Sequence, residues 1–132
     1  SEIESIADGC FNVAKTLNRK NQVHVEFDQG VMKEIDLMFD MVESAMGNML
    51  TILEEMETPE DSKIITAYNK EREINNFRNR LRDDNIYNIN NKVYGYQEGI
   101  FFMDLIGEAE KLGDYMLNVV EGVKHQFKPA SI

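Results

Sequence analysis

The sequence predicts an all-α fold, specifically an antiparallel bundle of four helices. Apolar residues recur at alternating steps of three and four in four separate segments, which is the spacing of one face of a helix. The 132 residues include two prolines and eight glycines, too few to punctuate a β-sandwich. With 42% hydrophobic residues, a chain of this length is expected to form one domain with a buried core.

The first helix is predicted from about Ser1 to Arg19. Its buried face is expected to carry Ile3, Ile6, Cys10, Val13 and Leu17. Because Cys10 lies on that face, we expect it to be a buried structural thiol. This helix shows no cap of its own, so we expect the chain to be cut from a longer protein. A connector is predicted over residues 21–30.

The second helix is predicted from about Gln29 to Glu57. Six of the eight methionines of the chain fall within it. Methionine fills irregular gaps well, so we interpret them as part of a core stripe rather than as a binding surface for a flexible partner. A third helix begins after Thr58, which can cap it, with Pro59 in its first turn.

The third helix is predicted to end at about Arg82, with Ile64, Tyr68, Ile74, Phe77 and Leu81 on its apolar side. Residues 83–91 are rich in Asn and Asp, which favour turns over helix interiors, and predict a polar turn. The fourth helix is predicted from near Lys92 to about His125. It carries two apolar stripes, so we expect neighbouring helices to cover it on two sides.

Charge and motif content exclude several functional classes. The formal charge of −10 repels phosphate backbones, so we expect no nucleic-acid partner. The single cysteine allows no internal disulfide and fits a reducing compartment. His24, His125 and Cys10 lack the neighbours that a catalytic site needs, and no Gly-rich phosphate loop is present. We therefore predict no enzymatic activity and no catalytic residue.

The opening and closing helices carry the same pattern, offset by 106 residues. In each copy a glutamate, an aspartate and an asparagine follow one another at steps of four, which places them on one side of a helix. These residues are Glu4, Asp8 and Asn12 in the first copy and Glu110, Asp114 and Asn118 in the second. Glu110 also falls on an apolar stripe, where a carboxylate needs compensation. A bridging cation or arginines of the third helix, such as Arg72 or Arg78, could supply it.

Two phrases of the sequence resemble a motif of the PhoU family of phosphate-regulation proteins. They read Glu110-Lys-Leu-Gly-Asp114-x-x-x-Asn118-Val119 and Glu4-Ser-Ile-Ala-Asp8-x-x-x-Asn12-Val13. Members of that family are helical, with two repeats of three helices. The resemblance implies that residues 1–20 are the last helix of a truncated first repeat, followed by a connector at 21–30. Residues 31–126 would then be a complete three-helix repeat, and 127–132 a tail.

The resemblance also implies metal ligands, because the family's acidic pairs can hold clusters of iron or zinc. Carried over by position, the candidate ligands are Glu110 and Asp114 together with Glu4 and Asp8. The middle helix of a repeat supplies a further pair, for which Glu71 is the candidate here. Asn75 stands four residues later in place of the expected aspartate, so one strong ligand is missing. The candidate cations are iron, zinc and magnesium.

The function implied by the resemblance is that of a non-enzymatic regulatory domain that modulates phosphate transport. It would act through helix-face contacts with the membrane part of a sodium–phosphate cotransporter or with a signalling protein. The expected location is the cytoplasm, as the soluble domain of an inner-membrane protein. Two alternatives stay open: a metal-binding or metalloenzyme bundle, and a structural module that forms homo-oligomers.

Overall fold

Four helices make up the computed structural model, which describes residues 1–55 and 57–127. They are α1 (Glu2–Gln22), α2 (Gln29–Glu54), α3 (Asp61–Asn90) and α4 (Tyr96–Phe127). The predicted all-α four-helix bundle is confirmed. Met56, placed at the end of the second helix, and residues 128–132 of the predicted tail lie outside the described residues.

Helix α4 runs antiparallel to α1 and α3, and α2 runs antiparallel to α3. Helices α2 and α4 run parallel to each other, so the predicted antiparallel arrangement is wrong for this pair. Between α2 and α3, the Lys70 amine donates to the Ser44 hydroxyl over 2.6 Å, and the Arg80 guanidinium lies 3.4 Å from the Glu34 carboxylate. Residue numbers therefore rise along one helix as they fall along the other. Among the described residues, α4 packs against all three other helices, α2 packs against α3, and α1 has α4 as its single helical neighbour.

The core lies around α4, as its two apolar stripes predict. Both stripes are buried at their centres, and helices cover α4 on more than one side. The buried apolar residues of α4 are Phe102, Leu105, Ile106, Ala109, Leu112, Met116 and Val120. The third helix contributes Ile64, Ile74 and Leu81 to the same core, as expected. No helix of the described residues is both long enough and apolar enough to cross a membrane.

The first helix packs differently from the prediction. Ile6 is buried, but Ile3 and Leu17 are 55% and 41% exposed, and Cys10 is exposed, so the predicted buried thiol is wrong. The residues that face α4 include Gly9 and Thr16, which are both buried. A Cβ atom on Gly9 would lie 2.7 Å from Cδ2 of Leu112, so a small residue here lets the two helices approach closely.

Ser1 caps the first helix, contrary to the prediction. Its hydroxyl accepts a hydrogen bond from the Glu4 amide over 3.4 Å, and the Glu4 side chain reaches back to the Ser1 backbone. This reciprocal arrangement is a capping box. At the other end of the helix, residues 23–28 form the predicted connector, in which Phe27 packs against the core.

The third helix starts later and ends later than predicted. Glu60, not Thr58, is its N-cap residue, and α3 continues to Asn90. The predicted polar turn at 83–91 is therefore wrong over most of its length. Asn85 is buried against α4, and this packing outweighs the weak helix propensity of the Asn and Asp residues. The actual turn lies between α3 and α4 and includes Lys92, which has a φ of 57°.

Candidate functional site

The contact between α3 and α4 brings together three of the predicted metal ligands. Glu71 comes from α3, and Glu110 and Asp114 lie one helical turn apart on α4. All three side chains are partly buried. Glu71 and Asp114 share a hydrogen bond between their carboxyl groups. We call Glu71, Asn75, Arg78, Glu110 and Asp114 the acidic cluster.

Two α3 residues compensate part of this negative charge. The Arg78 Nε lies 2.7 Å from Oε2 of Glu110, which forms an ion pair. The side-chain amide of Asn75 donates a hydrogen bond to Oε1 of Glu71. Arg78 is one of the two arginines that the sequence offered as partners for the carboxylates, whereas Arg72 is exposed.

Below about pH 6, a proton on Asp114 compensates a further part of the charge. Burial raises the pKa of Asp114 to about 6, helped by the hydrogen bond with Glu71 and by the negative charges of Glu110 and Glu71. Arg78 acts in the opposite direction and lowers this pKa. Near neutral pH, Asp114 is therefore close to the point at which it exchanges a proton with solvent.

The arrangement does not form a ready metal centre. No group of three or more His, Cys, Asp or Glu side chains in residues 1–55 and 57–127 is placed to hold a metal ion. The guanidinium of Arg78 already pairs with Glu110, and Asn75 occupies the position where a fourth carboxylate is expected. A cation would have to compete with Arg78 for the same oxygens.

Glu4 and Asp8 lie apart from the acidic cluster. Both residues are exposed on α1. The carboxylate of Glu4 lies 3.5 Å from the amino group of Ser1, and its side chain is 82% exposed. The two copies of the pattern therefore have similar sequences but different environments. The α4 copy faces α3, whereas the acidic pair of the α1 copy is exposed to solvent.

A second candidate site is an apolar groove between α1 and α2, with α4 as its floor. Its volume is about 370 Å³. Seven apolar or weakly polar residues line it: Cys10 and Val13 from α1, Phe39, Val42 and Met46 from α2, and Leu112 and Met116 from α4. We call this the α1–α2 groove. It exists because α1 and α2 both pack against α4 but not against each other.

Sequence reasoning missed the groove and the polar contact that closes the α3–α4 turn. The hydroxyl of Tyr94 donates to Oδ1 of Asn85 over 2.5 Å, and the Asn85 amide donates to the Gly99 carbonyl. The sequence does contain a signal for the burial of Asn85. It lies four residues after Leu81, which places it on the apolar side of α3. Nothing in the sequence signals the groove, because apolar spacing does not show which side of a helix remains uncovered.

Comparison of the chain with models of known families, with curated proteins and with solved structures finds no match.

Proposed function

We propose that this chain is a non-enzymatic regulatory domain that modulates phosphate transport through helix-face contacts with a transporter or a signalling protein. The uncovered face of α1 is the observation that carries the proposal. Ile3, Phe11 and Leu17 are 55%, 64% and 41% exposed on a helix that packs against α4 alone among the described residues. Apolar side chains grouped in this way are typical of surfaces that bind another protein.

The phosphate part of the proposal depends on the resemblance to the PhoU family. It comes from the two phrases that begin at Glu4 and Glu110. In this proposal the domain works in the cytoplasm, against the membrane part of a sodium–phosphate cotransporter or against a signalling partner. Regulation would follow from helix packing, because Arg78 already pairs with the Glu110 carboxylate of the acidic cluster.

Phosphate uptake by cells that express the protein tests the proposal. We expect the triple substitution Ile3→Ser, Phe11→Ser and Leu17→Ser to change uptake at unchanged protein level. Ile65→Ser with Ile86→Ser is the matched control, because these residues are 58% and 54% exposed on α3. Circular dichroism checks that both variants stay helical. Uptake that is unchanged after deletion of the whole domain would refute the proposal.

A second candidate function is regulation by a bound cation, favoured by the approach of Glu71, Glu110 and Asp114 at one place. Protein purified without chelator would then contain iron, zinc or magnesium by elemental analysis. Its thermal midpoint would fall with chelator and recover with the metal, because a ligand that binds the folded state stabilises it. A midpoint that neither chelator nor added metal shifts would remove this candidate.

A further inference from the structure

Both walls of the α1–α2 groove carry apolar side chains at steps of seven residues. On α1 the row consists of Ile3, Cys10 and Leu17. On α2 it consists of Met32, Phe39, Met46 and Leu53. Seven residues bring a helix back to nearly the same face, so each row runs along its helix.

The outer parts of these rows are accessible to another molecule. Met32 and Leu53, at the two ends of the α2 row, are 49% and 37% exposed. Phe39 and Met46 are half-buried and line the groove itself. The α1 row spans about 21 Å, which is about four turns of a helix. The groove therefore has the length and the side-chain spacing to receive one more helix by knobs-into-holes packing.

The edge of the groove on α2 is acidic. Asp36 and Glu43 are exposed beside the Phe39–Met46 part of the row, and Glu43 also lines the groove. Helix α1 carries the basic residue Lys15, whose amine lies over the Phe11 ring of the same helix, 5.6 Å from the ring centre. An occupant that places Lys or Arg beside the α2 edge is therefore favoured electrostatically.

We propose that the α1–α2 groove binds an amphipathic helix of a partner protein, with apolar residues at heptad spacing and basic residues along the side that meets Asp36 and Glu43. This inference depends on the proposed function and identifies both the surface and the kind of partner. A second copy of the chain fits less well. Its own acidic edge would meet that of the first copy, and each chain carries a net charge of −10.

A synthetic helical peptide tests the inference. The probe has 18 residues, with Leu and Ile at the a and d positions and Lys and Arg along one flank. A second peptide of the same composition has its apolar positions scrambled. We expect the first peptide to bind the intact chain and the scrambled peptide to bind on the order of tenfold more weakly or worse, because basic charge alone does not fill the apolar rows.

Two charge-reversed proteins separate groove binding from general attraction to an acidic protein. Asp36→Lys with Glu43→Lys changes the groove edge, and Glu73→Lys with Asp104→Lys changes two exposed acids elsewhere by the same net charge. We expect only the first pair to weaken binding, by about tenfold. The bound peptide should also slow the reaction of the exposed Cys10 with a thiol reagent, because Cys10 lines the groove.

Equal weakening by both pairs of substitutions, or an unchanged rate of Cys10 labelling, would overturn the inference. Light scattering that shows a dimer dissociated by Ile3→Ser and Leu17→Ser would assign the groove to a second copy instead. The peptide-binding measurement does not depend on phosphate transport. If the peptide binds but the domain has no effect on phosphate uptake, the proposed function fails and the groove assignment stands. If the domain affects uptake but the peptide does not bind, the groove assignment fails and the proposed function stands.

Discussion

The guanidinium Nε of Arg78 lies 2.7 Å from the carboxylate Oε2 of Glu110, and this ion pair joins α3 to α4. The two side chains are 31% and 18% exposed, so the pair is partly shielded from water. Glu71 and Asp114 contact each other in the same cluster. Arg78 is therefore the cation that allows three carboxyl groups to approach one another at this helix contact.

Loss of Arg78 is expected to destabilise the fold. In Arg78→Met the apolar part of the side chain is kept, but Glu110 stays partly buried without its cation. We expect the free energy of unfolding to fall by about 1–3 kcal/mol, less than for a fully buried pair because solvent screens the charges. Urea denaturation measures the loss, and Arg72→Met, at an exposed arginine of the same helix, is the control.

Neutralising Glu110 in the Arg78→Met background should restore part of that loss. The double variant Arg78→Met with Glu110→Gln leaves no unpaired charge at the contact. A double-mutant cycle then gives the coupling between the two residues directly. If the effects of the two substitutions simply add, the ion pair does not contribute to holding α3 against α4.

Asp114 is expected to make stability depend on pH. Its pKa is raised from 3.8 to about 6 in the folded chain. The folded state therefore binds the proton more tightly than the unfolded state. The stabilisation of the folded state that comes from this proton is complete below the unfolded pKa of 3.8 and is lost as pH rises through about 6.

The substitution Asp114→Asn checks this sign. The amide cannot ionise and can donate to Glu71, so we expect the stability of the variant relative to the original chain to increase between about pH 4 and pH 7. Urea denaturation at several pH values measures the difference. Asp104→Asn, at an exposed aspartate of α4, is the control substitution. The same profile for both variants would contradict the assigned pKa shift.

Gly99 is expected to be essential for the close approach of α3 and α4. A Cβ atom at this position would lie 2.9 Å from Oδ1 of the buried Asn85 and still closer to Ile89. We expect Gly99→Ala to destabilise the fold by about 1–3 kcal/mol, in spite of the better helix propensity of Ala. Gly122→Ala, with nothing within 4 Å of the added atom, should instead stabilise it by up to about 1 kcal/mol. Thermal denaturation of both variants distinguishes the two effects.

Apolar periodicity was sufficient to predict the four helices and the burial of Ile74, Leu81 and Leu112. It was not sufficient for α1, because the glycine Gly9 lies directly against Leu112 of α4. Hydrophobic spacing does not identify a small residue as the contact point. The predicted stripe therefore included Cys10, which is exposed.

The acidic cluster was predictable in part. The spacing of Glu110 and Asp114 placed both carboxylates on one side of a helix, and charge balance indicated an arginine partner such as Arg78. The hydrogen bond between Glu71 and Asp114 depends on how α3 and α4 are aligned, which sequence spacing within one helix does not define. For the same reason the identical spacing of Glu4 and Asp8 did not reveal that they face solvent.

The extension of α3 to Asn90 shows how a tertiary contact overrides local propensity, and Asn85 is the residue on which to test it. Asn85 accepts a hydrogen bond from Tyr94 and donates one to the Gly99 carbonyl. Asn85→Leu keeps a similar volume but leaves the Tyr94 hydroxyl and the Gly99 carbonyl without this partner. We expect a loss of about 1–3 kcal/mol in the free energy of unfolding, the cost of leaving buried polar groups unsatisfied.

A second substitution separates the polar contact from packing. Tyr94→Phe in the Asn85→Leu background removes the orphaned hydroxyl, so we expect stability to recover by about 1 kcal/mol. Hydrogen exchange of the amides at 86–90 gives a local measurement. In Asn85→Leu these amides should exchange faster than those near Ile74, because the last turns of α3 lose their contact with α4. Unchanged exchange at 86–90 would show that the helix extends for reasons other than the Asn85 contact.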